Sequence, residues 1–220
     1  MTRILQTEIA KLKKMILGLS AMVENSLHQA VRAIEDRDER VARKVIAHDN
    51  TIDQMELEVE EEGLKILALH QPVAIDLRFI VAVLKINSDL ERIGDLASNI
   101  AERAAALATD DHVDLPFDVR NMADKVKVMV KKSLDALVNL DVALARQVIT
   151  EDDEVDALNR GVYDEVLGEI LNTPDQSPVL INFFTISRAL ERIGDHAVNI
   201  AQDVIYMLEG EIVRHRDLDA

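Results

Sequence analysis

A twelve-residue segment written twice restricts the fold more than any other feature of the chain. "LERIGDLASNIA" begins at Leu90 and "LERIGDHAVNIA" at Leu190, an offset of 100 positions. A second pair precedes the first. "AIEDRDERVARKVIAHDNTID" begins at Ala33 and "ALVNLDVALARQVITEDDEVD" at Ala136, an offset of 103. The difference between the offsets implies a small change in length at the intervening turn. The chain therefore reads as two copies of one unit, and whatever fold the first half adopts, the second is expected to repeat.

Turn signals fall at 35–38, 70–73, 109–116, 139–141 and 172–178, the third being the most linker-like. Between them the apolar spacing predicts helices near 3–35, 38–69, 73–108, 117–139, 141–171 and 179–209, with no extended strand alternation. Asp38 and Asp141 stand where an N-cap would satisfy free amides, and Pro72 suits a helix start. With 7 Gly, 4 Pro, 48% hydrophobic and only 3% aromatic residues, the core must be aliphatic and the helices long. A lone helix of that length needs an apolar stripe buried against neighbours. Phe79, Val83, Ile86, Leu90, Ile93, Ala97 and Ile100 supply such a stripe. Short connections make successive helices antiparallel. The expected fold is all-α: two tandem antiparallel three-helix bundles related by internal duplication, over 1–110 and 114–220. The alternative is one ferritin-like bundle with extra helices. The chain has no Cys, which excludes disulfides and thiolate chemistry and fits a reducing compartment. The N-terminal segment lacks a signal-peptide apolar core, and runs such as 79–84 are too short to span a membrane. A cytoplasmic location is expected.

Asp and Glu total 41 against 25 Lys and Arg, a formal net charge of -16. That field repels a phosphate backbone and argues against nucleic-acid binding. The acids are also patterned. At about 100° per residue, Glu91, Asp95 and Asn99 form one line on a helix, opposite the stripe of Leu90 and Ile93. Glu191, Asp195 and Asn199 repeat it. Asp49, Asp53, Glu56 and Glu60 line the preceding helix, and Asp152 and Asp156 recur in the second copy. Equal arms about the hairpin turns set Asp53 near residue 89, Asp49 near 93, Asp156 near 193 and Asp152 near 197. Each half then gathers two carboxylate pairs on adjacent antiparallel helices. Such acids repel unless solvated, protonated or bridged by cations, and oxygen donors suit hard ions such as Mg, Mn, Ca or Fe. Gly94 and Gly194 suggest close approach or room for a ligand, and the Asn carbonyls could add neutral oxygens. Arg92, Arg192, Arg78 and Arg188 could tether a carboxylate, contact an anion or stay solvated. His48 and His196 adjoin the acidic lines, but adjacent helical positions diverge. Glu-x-x-His pairs, HExxH, Walker and dinucleotide glycine loops are absent. An enzyme is not expected.

At these residues the sequence resembles the PhoU family of bacterial phosphate-signalling regulators. The resemblance rests on the tandem "LERIGD" segments together with "DNTID" and "DDEVD". It implies two tandem three-helix bundles and surface metal clusters, the metal being Fe, Mn, Mg, Zn or Ca, divalent or trivalent. Asp49, Asp53, Glu91 and Asp95 would form one cluster, and Asp152, Asp156, Glu191 and Asp195 the other. It also implies a cytoplasmic, non-enzymatic homodimer that negatively regulates phosphate uptake. Its partners would be the ATPase of the high-affinity phosphate ABC transporter and a membrane-bound sensor histidine kinase, with membrane association only through them. The other readings are a metal-dependent phosphoester hydrolase and a metal-buffering helical protein.

Overall fold

The structure is a computed structural model and describes residues 3–108 and 119–213. The 109–116 turn and the expected division between 110 and 114 lie outside the described residues. Six helices run in the order α1 (Arg3–Glu35), α2 (Glu39–His70), α3 (Ala74–Ala108), α4 (Val119–Asn139), α5 (Val142–Asn172) and α6 (Ser177–Glu209). A 3-10 turn at Pro174–Gln176 leads into α6, and the described residues contain no strand.

Local chemistry sets most boundaries. Asp38 accepts the backbone N–H groups of Arg40 and Val41 at 2.9 and 3.3 Å, and Asp141 accepts that of Leu144 at 3.0 Å. Both are the expected N-caps, taking up amides that have no partner within the helix. Two starts differ from the sequence expectation. Gln71 adopts φ 46° and closes α2, so Pro72 lies in the corner and α3 begins at Ala74. α6 begins at Ser177 instead of 179, because the 3-10 turn opened by Pro174 runs straight into it. Pro178 falls in the first turn of α6, where the missing N–H breaks no helical bond.

α1, α2 and α3 pack together, as do α4, α5 and α6. The halves then join through α3 and α6, which contact each other as extensively as either contacts any one helix of its own bundle. One continuous aliphatic core results. Lys85 meets Asp203 at 3.2 Å, while Asp89 takes the His196 Nδ1 at 2.8 Å and the Asn199 amide at 3.2 Å. Residue numbers rise on α3 as they fall on α6, so these helices are antiparallel, and Gly94 and Gly194 stand at about the same height. α3 and α6 are thus apolar toward their own bundle and toward the other. The face left to each carries the acids.

Leu90 is fully buried in this shared core. Leu90→Ala should lower the unfolding free energy by about 3 kcal/mol in urea denaturation, within a single transition. Two separated transitions would contradict a core that spans both halves.

Candidate carboxylate centres

Two polar contacts set the register between the helices that carry the acids. The Asn87 side-chain amide donates to the Glu56 carbonyl at 3.0 Å and to Glu56 Oε1 at 2.8 Å, fixing α2 against α3. The Ser187 hydroxyl donates to Asn159 Oδ1 at 2.6 Å inside the second half, fixing α5 against α6. Helix contact is close at the two glycines. A Cβ on Gly94 would stand 3.1 Å from Ile52 Cγ2 and 3.8 Å from Asp49 Oδ1. On Gly194 it would stand 3.3 Å from Asp152 Oδ1. The glycines therefore leave space that the half-buried Asp49 and Asp152 approach. Asp49 lies level with Gly94 to Ser98, beyond residue 93, because the corner at Gln71 and Pro72 is not the symmetric apex that equal arms assume. Asp152 lies level with Gly194 and Asp195, short of residue 197.

The small shift keeps the expected partners together. In the first centre Asp49, Asp53 and Asp95 each offer an oxygen, and these lie within 4.8 Å of one another. Glu91 stands at its edge, where Arg92 holds it. Arg92 Nε is 3.3 Å from Glu91 Oε2, and Nη1 is 3.1 Å from Asp95 Oδ2. In the second centre Asp152 faces the charges of Asp195, Asp156 and Glu191. Arg160 approaches Asp156 at 3.7 Å and Arg188 approaches Glu191 at 3.4 Å. Among the described residues, only the first centre draws three carboxylates to the closer spacing.

The lines turn away from the core along a groove between helices, where Glu91, Asp95 and Glu191 are half-buried while Asp53 and Asp195 are exposed. Burial is accordingly the leading cause that raises the pKa of Asp49, Glu91, Glu191 and Asp195, with neighbouring carboxylates adding to it. Glu56 is raised too, by burial first and then by Glu60 and Asp53. Asp152 is pushed up to about 6, by burial first and then by Asp195 and Asp156. Asp49 Oδ1 and Glu191 Oε2 are buried with no hydrogen-bond donor. Each centre thus offers anionic oxygens, one of them buried without a hydrogen-bond partner, which is the donor chemistry a hard cation requires.

Other expected contributors go elsewhere. Asn99 is exposed, and the Asn199 amide crosses to Asp89 on α3. His196 also binds Asp89, and His48 faces α1 in a separate cavity. Ser98 is a participant the spacing did not single out: its hydroxyl hydrogen-bonds Asp49 and lowers the pKa that burial raises. Its signal was its place three residues after Asp95, on the same side of α3. The second copy has Val198 there, so the two centres differ.

A family model described as the PhoU domain matches residues 16–104 and again 119–204. A phosphate-specific transport system accessory protein PhoU homolog of Clostridium acetobutylicum is 36% identical, covering 99% of this chain and 100% of the relative. One from Pseudomonas aeruginosa is 38% identical over 94% of this chain and 86% of its own length. Among solved structures, PhoU from Pseudomonas aeruginosa superposes with a TM-score of 0.90 at 37% identity, covering 94% of this chain and 99% of that one. The phosphate transport system regulatory protein PhoU from Streptococcus pneumoniae gives 0.85 at 26% identity, covering 95% and 99%.

The raised Asp152 fixes the sign of a pH dependence. Its folded pKa of about 6 lies above the ordinary carboxylate value, so the native state binds the proton more tightly. Metal-free protein should therefore gain stability as pH falls from 7 through 6 toward 4. Asp152→Asn should flatten that gain and stabilise the metal-free protein at pH 7 by on the order of 1 kcal/mol after allowance for solvent screening. Urea denaturation across this pH range checks both outcomes.

Proposed function

The chain belongs to the PhoU family, and from that membership we propose that it is an accessory and regulatory protein of phosphate transport. In this reading it is a cytoplasmic, non-enzymatic adaptor and a homodimer. It connects the ATPase of a high-affinity phosphate ABC transporter with a membrane-bound sensor histidine kinase. It damps uptake and keeps phosphate-responsive genes repressed while phosphate is plentiful. Contact with the membrane runs through those partners. No helix among the described residues is long and apolar enough to cross a membrane. The observation that carries the reading is the match of the family model to both halves of this chain, alongside relatives named as accessory proteins of phosphate-specific transport.

The carboxylate centres enter as metal sites. Asp49, Asp53, Glu91 and Asp95 hold one, and Asp152, Asp156, Glu191 and Asp195 the other. A bound cation supplies positive charge that offsets carboxylate repulsion and neutralises part of a surface belonging to a chain of net charge -16. The protein's own groups prepare the sites. Ser98 orients Asp49, and Arg92 restrains Glu91 and Asp95. Gly94 and Gly194 leave room beside the half-buried Asp49 and Asp152. With the charge neutralised, the grooved faces become able to meet acidic or apolar partner surfaces.

Two measurements test this. In cells lacking the gene, the intact chain should restore low phosphate uptake and a silent starvation reporter in high phosphate; failure to alter either rejects the regulatory role. Asp95→Ala with Asp195→Ala should lower metal content by elemental analysis and weaken affinity for the transporter ATPase and kinase. Unchanged affinity after verified metal loss would sink the metal-dependent contact. Many ions per chain would favour a buffer, and phosphoester turnover with Mg or Mn a hydrolase.

A further inference from the structure

Outside the carboxylate centres, positive charge collects in one concave place. α1, α2 and α4 border two adjoining open hollows of about 590 and 210 Å3, which share Asn25, Gln29 and Lys44 as lining. His28 and Arg32 enter from α1, Lys44 from α2 and Lys127 from α4. The acid in this lining, Glu35, is engaged by Arg120 at 3.2 Å. Arg32 and Lys127 have carboxylate neighbours in Asp36 and Asp124 at 2.9 and 2.6 Å. Lys44 and His28 make no ion pair or hydrogen bond with any described residue. In a chain with a net charge of -16, an uncompensated Lys facing a cavity is out of keeping with the general field.

We propose that this α1–α2–α4 groove binds a small polyanion carrying phosphoryl groups, held between Lys44 of the first half and Lys127 of the second. The combined space exceeds what one tetrahedral anion fills and lies in the range of small-molecule sites. Cationic groups on three helices suit two or more separated anionic groups. The Arg32 fork and the Lys ammonium groups match phosphoryl oxygens, and Asn25 and Gln29 add amide donors. The ligand lies across the seam where α1 meets α4, so it ties the two halves together. The site uses none of the carboxylates assigned to metal and does not depend on the transport role.

The test titrates the full chain, in chelator to remove free cations, with pyrophosphate, ADP, inorganic phosphate and citrate by calorimetry. Pyrophosphate or ADP is expected to bind once per chain, more tightly than inorganic phosphate or citrate, and more weakly as salt rises. Lys44→Gln and Lys127→Gln should each weaken binding by about tenfold, the loss of one charge-assisted contact. Asp95→Asn with Asp195→Asn should leave it intact. Circular dichroism identifies any variant that misfolds, and Lys44→Arg, which keeps the charge, should retain binding. Absence of saturable binding, indifference to both Lys substitutions, or equal affinity for citrate would overturn the proposal. So would binding of an acidic peptide with none of the phosphoryl compounds, which would assign the groove to a protein partner. Anion binding is read on purified protein and transport regulation in cells, so either idea can fail alone.

Discussion

The contact between α3 and α6 is the constraint from which the remaining arrangement follows. Each of these helices must cover apolar surface on two sides, one toward its own bundle and one toward the other half. Leu90, Ile93, Leu190 and Ile193 are all buried in the shared core. Little circumference is left for charge. The acidic residues occupy that remainder, beside α2 in the first half and α5 in the second. The carboxylate centres thus lie where they do because hydrophobic burial has taken every other direction.

This explains why so much of the architecture can be seen in the amino-acid order. Duplication is plain in the two "LERIGD" segments, and the caps at Asp38 and Asp141 are local chemistry, independent of tertiary context. Pairing of acids on adjacent helices follows from hairpin geometry alone. The exact levels do not, because they depend on details such as the positive φ of Gln71 and the 3-10 turn at Pro174. Ser98 was equally hard to foresee, since a hydroxyl on a helix acquires meaning only when Asp49 is known to lie beside it. The assignment of His196 and Asn199 to Asp89 required knowing that the two halves meet through α3 and α6.

Energetically the centres are sites of tension within a stable frame. Water shields an exposed carboxylate well; a groove between two long helices does so less, and burial leads the causes that raise Asp49, Asp152, Glu191 and Asp195. The glycines sharpen this. An alanine at position 94 or 194 would favour the helix, yet its methyl would press on Ile52 in one half and on the Asp152 carboxylate in the other. The first centre eases its charge with Ser98 and Arg92, whereas the second has Val198 and relies on Arg160 and Arg188. Duplicate helices therefore carry electrostatically distinct environments.

The seam between the halves also contains a pairing code. Lys85 faces Asp203, and Asp89 faces His196 and Asn199. One hundred residues away, the counterparts of Lys85 and Asp89 are Thr185 and Ala189, and those of Asp203 and His196 are Arg103 and Leu96. A first half set against its own duplicate in the same geometry would bring Lys85 opposite Arg103, twice over. A second half set against itself would offer Asp203 only Thr185. Each half thus recognises its sibling better than its twin, and separate expression of the two halves would favour mixed reassembly over self-association.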